Sequence, residues 1–153
     1  MDADAIEQAY VPFVTLLRAG GFAPPPEGWT AEFVAAHITR NNELIAEAAE
    51  RIAAGEQASY DNNPSVDGEQ LGAYVESIGD LGGLADAVAA SARRLGAARA
   101  ALDLTAEGCL VPTVITDSGT VVRDQPIPIL QLIEGNASFH LDMHLEQLRE
   151  LRS

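Results

Sequence analysis

Long stretches of the chain carry apolar residues at the three- and four-residue intervals that are typical of a helix with one buried face. The first stretch runs from about Ala3 to Ala19 and stops at two consecutive glycines. The second follows a predicted N-cap at Thr30 and ends near Gly55. The pattern therefore predicts one helix in each stretch.

The third predicted helix begins near Asp67 and reaches about Leu104. Three glycines lie inside it: Gly79, Gly82 and Gly83. Because glycine lowers helix stability, we expect a kink or a close helix contact there. The fourth helix opens at Pro126 and Pro128, which suit a first helical turn, and keeps its apolar period to the C-terminus.

The period changes from helical to alternating between the third and fourth helices. The stretch CLVPTVITDSGTVVRDQP alternates, turns at Asp117, Ser118 and Gly119, and alternates again, which predicts a short β-hairpin. The polar stretch GEQASYDNNPSVDGE, between the second and third helices, predicts a long loop. The predicted fold class is all-α, a four-helix bundle with a short β-hairpin between helices 3 and 4.

The composition and the net charge argue against some classes of binding partner. A chain of 153 residues with 47% hydrophobic residues can bury a core, and we expect one domain over residues 1–153. A formal net charge of -14 and a pI near 4.3 argue against binding nucleic acid or an anionic membrane surface. Small molecules, cations or a second copy of the chain are the expected partners.

The sequence also predicts a cytoplasmic location. Cys109 is the only cysteine, so neither an intrachain disulfide nor a thiolate zinc cluster can form. The opening MDADAIEQAY is acidic and lacks the features of a signal peptide. No apolar run approaches the ~20 residues that a membrane helix needs.

All three histidines of the chain fit one candidate metal site. His140 and His144 are four residues apart and lie on one face of the fourth helix, while His37 lies on the apolar stripe of the second. Two interpretations follow from the residues alone. The histidines either share one cation or are three separate core residues, each with its own hydrogen-bond partner.

A shared cation would be of the catalytic type, because three protein ligands leave a coordination position open. Zinc is the first expectation, and Ni²⁺, Fe²⁺ and Co²⁺ suit imidazole as well. Such an ion can acidify a bound water or a bound thiol. Asn41, one turn beyond His37, is a candidate for lining the pocket or binding a group held there. Trp29 is expected to pack against Phe33 rather than against a ligand.

Two segments resemble a known family. EGWTAEFVAAHI is similar to the Trp-Thr…His segment of the mycothiol-dependent maleylpyruvate isomerase N-terminal domain family, within the DinB-like metalloproteins. VVRDQPIPILQLIEGNASFHLDMHLEQL resembles the closing helix of that superfamily, with its His-x3-His pair. The resemblance covers essentially the whole chain. It implies a divalent metal bound by His37, His140 and His144.

The resemblance also implies a function. It favours a metal-dependent enzyme that uses a low-molecular-weight thiol of the mycothiol type as nucleophile against an electrophilic substrate, in S-transfer or isomerisation. The full isomerase has a further C-terminal domain, which argues against isomerase activity for a chain that stops at Ser153. The alternatives are a metal-dependent hydrolase and a non-enzymatic bundle with a structural or vestigial metal. A homodimer is compatible with all three.

Overall fold

The computed structural model describes residues 1–152, most of which are helical. The helices are α1 (Ala3–Ala9), α2 (Val11–Ala19), α3 (Ala31–Ala53), α4 (Gly68–Ile78), α5 (Leu81–Ala100), α6 (Leu104–Glu107), α7 (Ile129–Gly135) and α8 (Leu141–Glu150). A 3-10 turn (Asn63–Ser65) precedes α4, and a π-helical turn (Asn136–His140) joins α7 to α8. The strands are β1 (Tyr60–Asp61), β2 (Leu110–Asp117) and β3 (Thr120–Pro128).

The first predicted helix is in fact two helices, so the expectation of one helix from Ala3 to Ala19 was wrong. The chain breaks at Tyr10, between α1 and α2. Pro12 lies in the first turn of α2 and has no N–H to donate to the preceding turn, which is why the helix restarts here. Tyr10 itself keeps a right-handed conformation, so the buried stripe continues through the break.

The glycines expected to kink the third predicted helix instead divide it into two helices, α4 and α5. The helix ends at Ile78, because Gly79 adopts φ +97°, a conformation that other residues rarely reach. The Asp80 side chain then caps α5 by accepting a hydrogen bond of 2.6 Å from the Gly83 amide. The predicted extension to Leu104 was also wrong, because α5 stops at Ala100.

The predicted hairpin is confirmed. Strands β2 and β3 pair antiparallel, and the turn between them places Ser118 and Gly119 at positive φ, as a type I′ turn requires. Strand β1 was not predicted, and it pairs parallel with β2 to complete a three-stranded sheet in the order β1-β2-β3. Pro126 and Pro128 belong to β3, so the last helical segment begins at Ile129 rather than at the prolines.

The hydrophobic core lies around α3 and α5. Helix α3 has buried residues on most of its circumference, while α1, α2, α7 and α8 cover the core from other sides. Fully buried side chains of the core include Ile6, Phe13, Leu84, Leu95, Ile133 and Leu148. Five of the eight buried residues of α5 are small, which lets neighbouring helices approach closely: Ala85, Ser91, Ala92, Gly96 and Ala98. None of the described helices is long and apolar enough to cross a membrane.

Candidate metal centre

The three histidines meet in space, as the sequence predicted. His37 lies in α3, His140 ends the π turn, and His144 lies in α8. One ring nitrogen from each residue lies within 4.8 Å of the other two. The ring centroids are 4.6 to 5.0 Å apart. The described residues therefore contain three imidazoles close enough together to bind one metal ion.

His37 is held from two sides. Its helix begins at Thr30, whose hydroxyl accepts a hydrogen bond from the Phe33 amide. The His37 Nδ1 donates to the Ser65 carbonyl at 2.6 Å. The Trp29 ring lies 5.1 Å from the His37 ring, so Trp29 forms a wall of the site. The expected contact of Trp29 with Phe33 stays a prediction.

The π turn determines how the last helical segment presents its polar residues. In an α-helix, residues four apart are rotated by about 40°, so Asn136, His140 and His144 would spread over about 80°. The wider π turn rotates less per residue and offsets most of this drift. Asn136 and His144 are both buried, at 5% and 7% exposure, two turns apart on one face. The π turn was not predicted from the sequence.

Hydrogen bonds from the Nδ1 atoms orient two of the three imidazoles, those of His37 and His144. The His144 Nδ1 donates to Gln147 Oε1 at 2.8 Å, and His37 donates to Ser65 in the same way. Both rings therefore carry the proton on Nδ1 and keep the Nε2 lone pair for the cluster. The Nε2 atoms of His37 and His140 are 3.0 Å apart. The Nδ1 of His140 is buried and has no hydrogen-bond partner.

The short distance between the Nε2 atoms of His37 and His140 is compatible with a shared cation as well as with a direct hydrogen bond between the two rings. Without a cation, His140 Nε2 must donate to the Nε2 lone pair of His37. The His140 Nδ1 is buried without a partner in either case, as a lone pair without the cation and as an N–H with it. With a cation, both Nε2 lone pairs have a common partner. Zinc–nitrogen bonds of about 2.0–2.1 Å in tetrahedral geometry place two donor nitrogens roughly 3.3 Å apart. The 3.0 Å separation is close to that value.

Burial keeps the imidazoles neutral at physiological pH. The pKa of His37 is lowered to about 4 by burial and by His144, and the hydrogen bond to Ser65 acts in the opposite direction. The pKa of His140 is lowered to about 3 by burial and by its two neighbours. Burial also lowers the pKa of His144, although Gln147 partly opposes the effect. A cation therefore does not have to displace protons from these rings at pH 7.

Asn41 lies in a buried hydrogen-bond network beside the cluster. Its Nδ2 donates to Asn136 Oδ1 at 2.6 Å, and its Oδ1 accepts a short hydrogen bond from the Tyr60 hydroxyl. Asn136 in turn donates to Asn42 and to Tyr10. Sequence reasoning missed Asn136 and could not distinguish the two tyrosines from core residues. The prediction that Asn41 contacts a bound group stays a prediction.

The helix face beside the cluster is open to solvent. Phe139 and Met143, which directly precede the two histidines of this segment, are 79% and 50% exposed. Two surface grooves of about 510 and 570 Å³ lie elsewhere, one against the second half of α3 and one against α6 and α7. None of the three histidines lines either groove.

Comparisons of the chain with protein-family models, with curated proteins and with solved structures found no match. Within the described residues, the fold is a mostly helical one with a small three-stranded sheet and a three-histidine cluster.

Proposed function

We propose that the chain is a metal-dependent enzyme in which His37, His140 and His144 hold one divalent ion, with Zn²⁺ as the first choice. The convergence of three neutral imidazoles from two distant segments is the observation that supports this proposal. No carboxylate or thiol joins the group within residues 1–152. The donor set is therefore neutral, and a bound ion keeps its full charge and an open position.

The chemistry we propose is transfer of a low-molecular-weight thiol of the mycothiol type. When bound, the ion would acidify a thiol that occupies the open position. The S–H proton leaves to solvent, the sulfur lone pair forms a bond to an electrophilic carbon, and the leaving group departs with the bonding electrons. The chain contributes orientation: Ser65 and Gln147 aim the rings, and Trp29 shields one side of His37.

Thiol transfer is preferred to hydrolysis because of what surrounds the cluster. A hydrolase of this type needs a general acid or base near the ion. All three histidines are engaged in the cluster, and no carboxylate joins them within residues 1–152. The resemblance to the mycothiol-linked DinB-like proteins supports the same preference. We further propose that the helices form a DinB-like four-helix bundle that acts as a homodimer.

Metal analysis of tag-free protein is the first test. We expect about one equivalent of a transition metal in the wild type and a strong loss in His144→Ala. The exposed residue Asp142, substituted as Asp142→Ala, is the matched control on the same turn and should retain the metal. A tag-free wild type that neither contains nor takes up Zn²⁺ or Co²⁺ would refute the proposal.

Calorimetric titration of the metallated protein with mycothiol and with bacillithiol separates the possible activities. We expect heat from at least one thiol with the metallated wild type and none with His144→Ala. Turnover of an ester or amide panel without thiol would instead identify a hydrolase. Metal binding without either response would leave a structural metal in a non-enzymatic bundle.

A further inference from the structure

A network of buried amide and hydroxyl groups crosses the core one helical turn away from the histidine cluster. Asn41 lies four residues after His37 in α3, and Asn136 lies four residues before His140 in the π turn. Both asparagines are almost fully buried, at 4% and 5% exposure. Their amides meet at 2.6 Å, between segments 95 residues apart in sequence. This contact therefore joins the same two segments that carry the histidines.

Every donor in this network has a defined direction. The Tyr60 hydroxyl donates to Asn41 Oδ1, so the Asn41 amide must donate to Asn136 Oδ1. The Asn136 amide then donates to Asn42 Oδ1 at 2.6 Å and to the Tyr10 oxygen at 3.1 Å.

The far end of the network is anchored on α5. Asn42 donates to Ser91 at 3.0 Å, and Ser91 donates to the Val88 carbonyl at 2.8 Å. Burial raises the pKa of Tyr10 and of Tyr60, so both phenols stay protonated. A chain of hydrogen bonds with one consistent proton arrangement holds its members in one geometry.

We propose that Asn41 and Asn136 are positioning residues, which hold α3 and the π turn at the separation and rotation that bring His37 and His140 together. The inference rests on the metal-binding part of the proposed function, but not on the thiol or on any turnover. A metal site tolerates displacements of only a few tenths of an ångström in its ligands. His140 depends most on this contact, because its own Nδ1 has no hydrogen-bond partner to orient the ring.

The test compares Asn41→Leu, Asn136→Leu and the double variant with Thr39→Val. Thr39 is a matched control, because it is a buried polar residue of α3 whose hydroxyl bonds only to Ala35 within the same helix. Co²⁺ is the probe. Its visible absorption reports coordination geometry, and quenching of Trp29 fluorescence reports occupancy, since Trp29 is the only tryptophan and lies 5.1 Å from His37.

We expect the leucine variants to bind Co²⁺ about 10- to 100-fold more weakly than the wild type, with altered visible bands, while far-ultraviolet circular dichroism shows them folded. Thr39→Val should stay within about threefold of the wild type. Tyr60→Phe removes only the hydrogen bond that orients Asn41. This variant replaces the leucine variants if they do not fold, and it should also bind Co²⁺ more weakly than the wild type.

Two results would overturn the inference, and they can be told apart. Folded variants with the affinity and the visible spectrum of the wild type would refute the positioning role alone. A wild type that binds no Co²⁺ would refute the positioning role together with the proposed function.

Discussion

His37 and His144 each donate an Nδ1 proton to an oxygen of the protein, whereas His140 Nδ1 has no partner. Such contacts fix the tautomer of a ligating imidazole and its orientation. Two of the three candidate ligands are therefore oriented by the protein itself. The third relies on the placement of the turn that carries it.

Gln147 provides a direct test of this orientation. We expect Gln147→Leu to weaken metal binding about 10- to 100-fold, because His144 loses the acceptor that holds its ring. Gln147→Glu should retain the affinity, since a carboxylate accepts the same hydrogen bond. Equilibrium titration with Zn²⁺ against a competing chelator measures both variants.

The exposed Gln131, substituted as Gln131→Leu, is the control for a glutamine-to-leucine change on the same segment. It should bind the metal as the wild type does. If Gln147→Leu bound Zn²⁺ with the same affinity as Gln131→Leu, the contact between His144 and Gln147 would have no part in holding the metal.

The histidines could be predicted from the sequence, whereas the network beside them could not. Three histidines on apolar helical stripes suffice to indicate convergence, because each stripe must face the core. The partnership of Asn41 with Asn136 depends on a crossing between distant segments and on a π turn with no clear sequence signal. Tyr10 and Tyr60 likewise look like ordinary core residues until their hydroxyl partners are known.

Helical periods were predicted well, but the breaks between helices were not. The stripe of buried residues continues through Tyr10, because that residue keeps a right-handed conformation, so the pattern does not change where the helix does. Strand β1 has only two residues, Tyr60 and Asp61, and pairs with a strand about fifty positions later. A local pattern does not contain that information. The hairpin was predictable because its turn residues are adjacent in the chain.

Two glycines with different backbone conformations, Gly79 at the break between α4 and α5 and Gly135 in α7, should respond in opposite ways to substitution by alanine. Gly79→Ala should lower the free energy of unfolding by about 1–2 kcal/mol, because φ is +97° there. Gly135→Ala should raise the free energy of unfolding by up to ~1 kcal/mol, because Gly135 is helical and nothing lies within 4 Å of an added Cβ.

Urea denaturation of both alanine variants measures the two changes. If both variants changed the free energy of unfolding by the same amount and in the same direction, the backbone conformation at Gly79 would not be what ends α4. Because both positions receive the same methyl group, each variant is the control for the other.

For the molecule as a whole, the buried imidazoles make stability depend on pH. The unfolded chain binds a proton at each histidine near the ordinary pKa of 6.5, whereas folded His37 binds one only near pH 4. Between these values the unfolded state holds more protons, so stability is present above pH 6.5 and is lost as the pH falls toward 4. His140, with a pKa of about 3, acts in the same direction.

We therefore expect the metal-free protein to lose about 2 kcal/mol of unfolding free energy from His37 alone between pH 7 and pH 5. Urea denaturation in the presence of a chelator, at both pH values, measures the loss. His37→Gln should show a smaller difference between the two pH values, whatever its absolute stability. An unfolding free energy that is the same at both pH values would contradict the expected burial of the imidazoles.

The hairpin also has an outer edge, along β3. Pro126 lies opposite Pro112 in the ladder, and because neither has an N–H, this pair cannot be hydrogen-bonded. Asp124, Pro126 and Pro128 therefore turn their backbone groups outward, and two of these three positions have no donor.

An irregularity of the ladder, at Val122, further distorts this edge, where Val121 and Val122 are 55% and 60% exposed. An edge so poor in donors is a weak template for an incoming strand. The valines can therefore stay in water without making concentrated protein polymerise by strand addition at this edge.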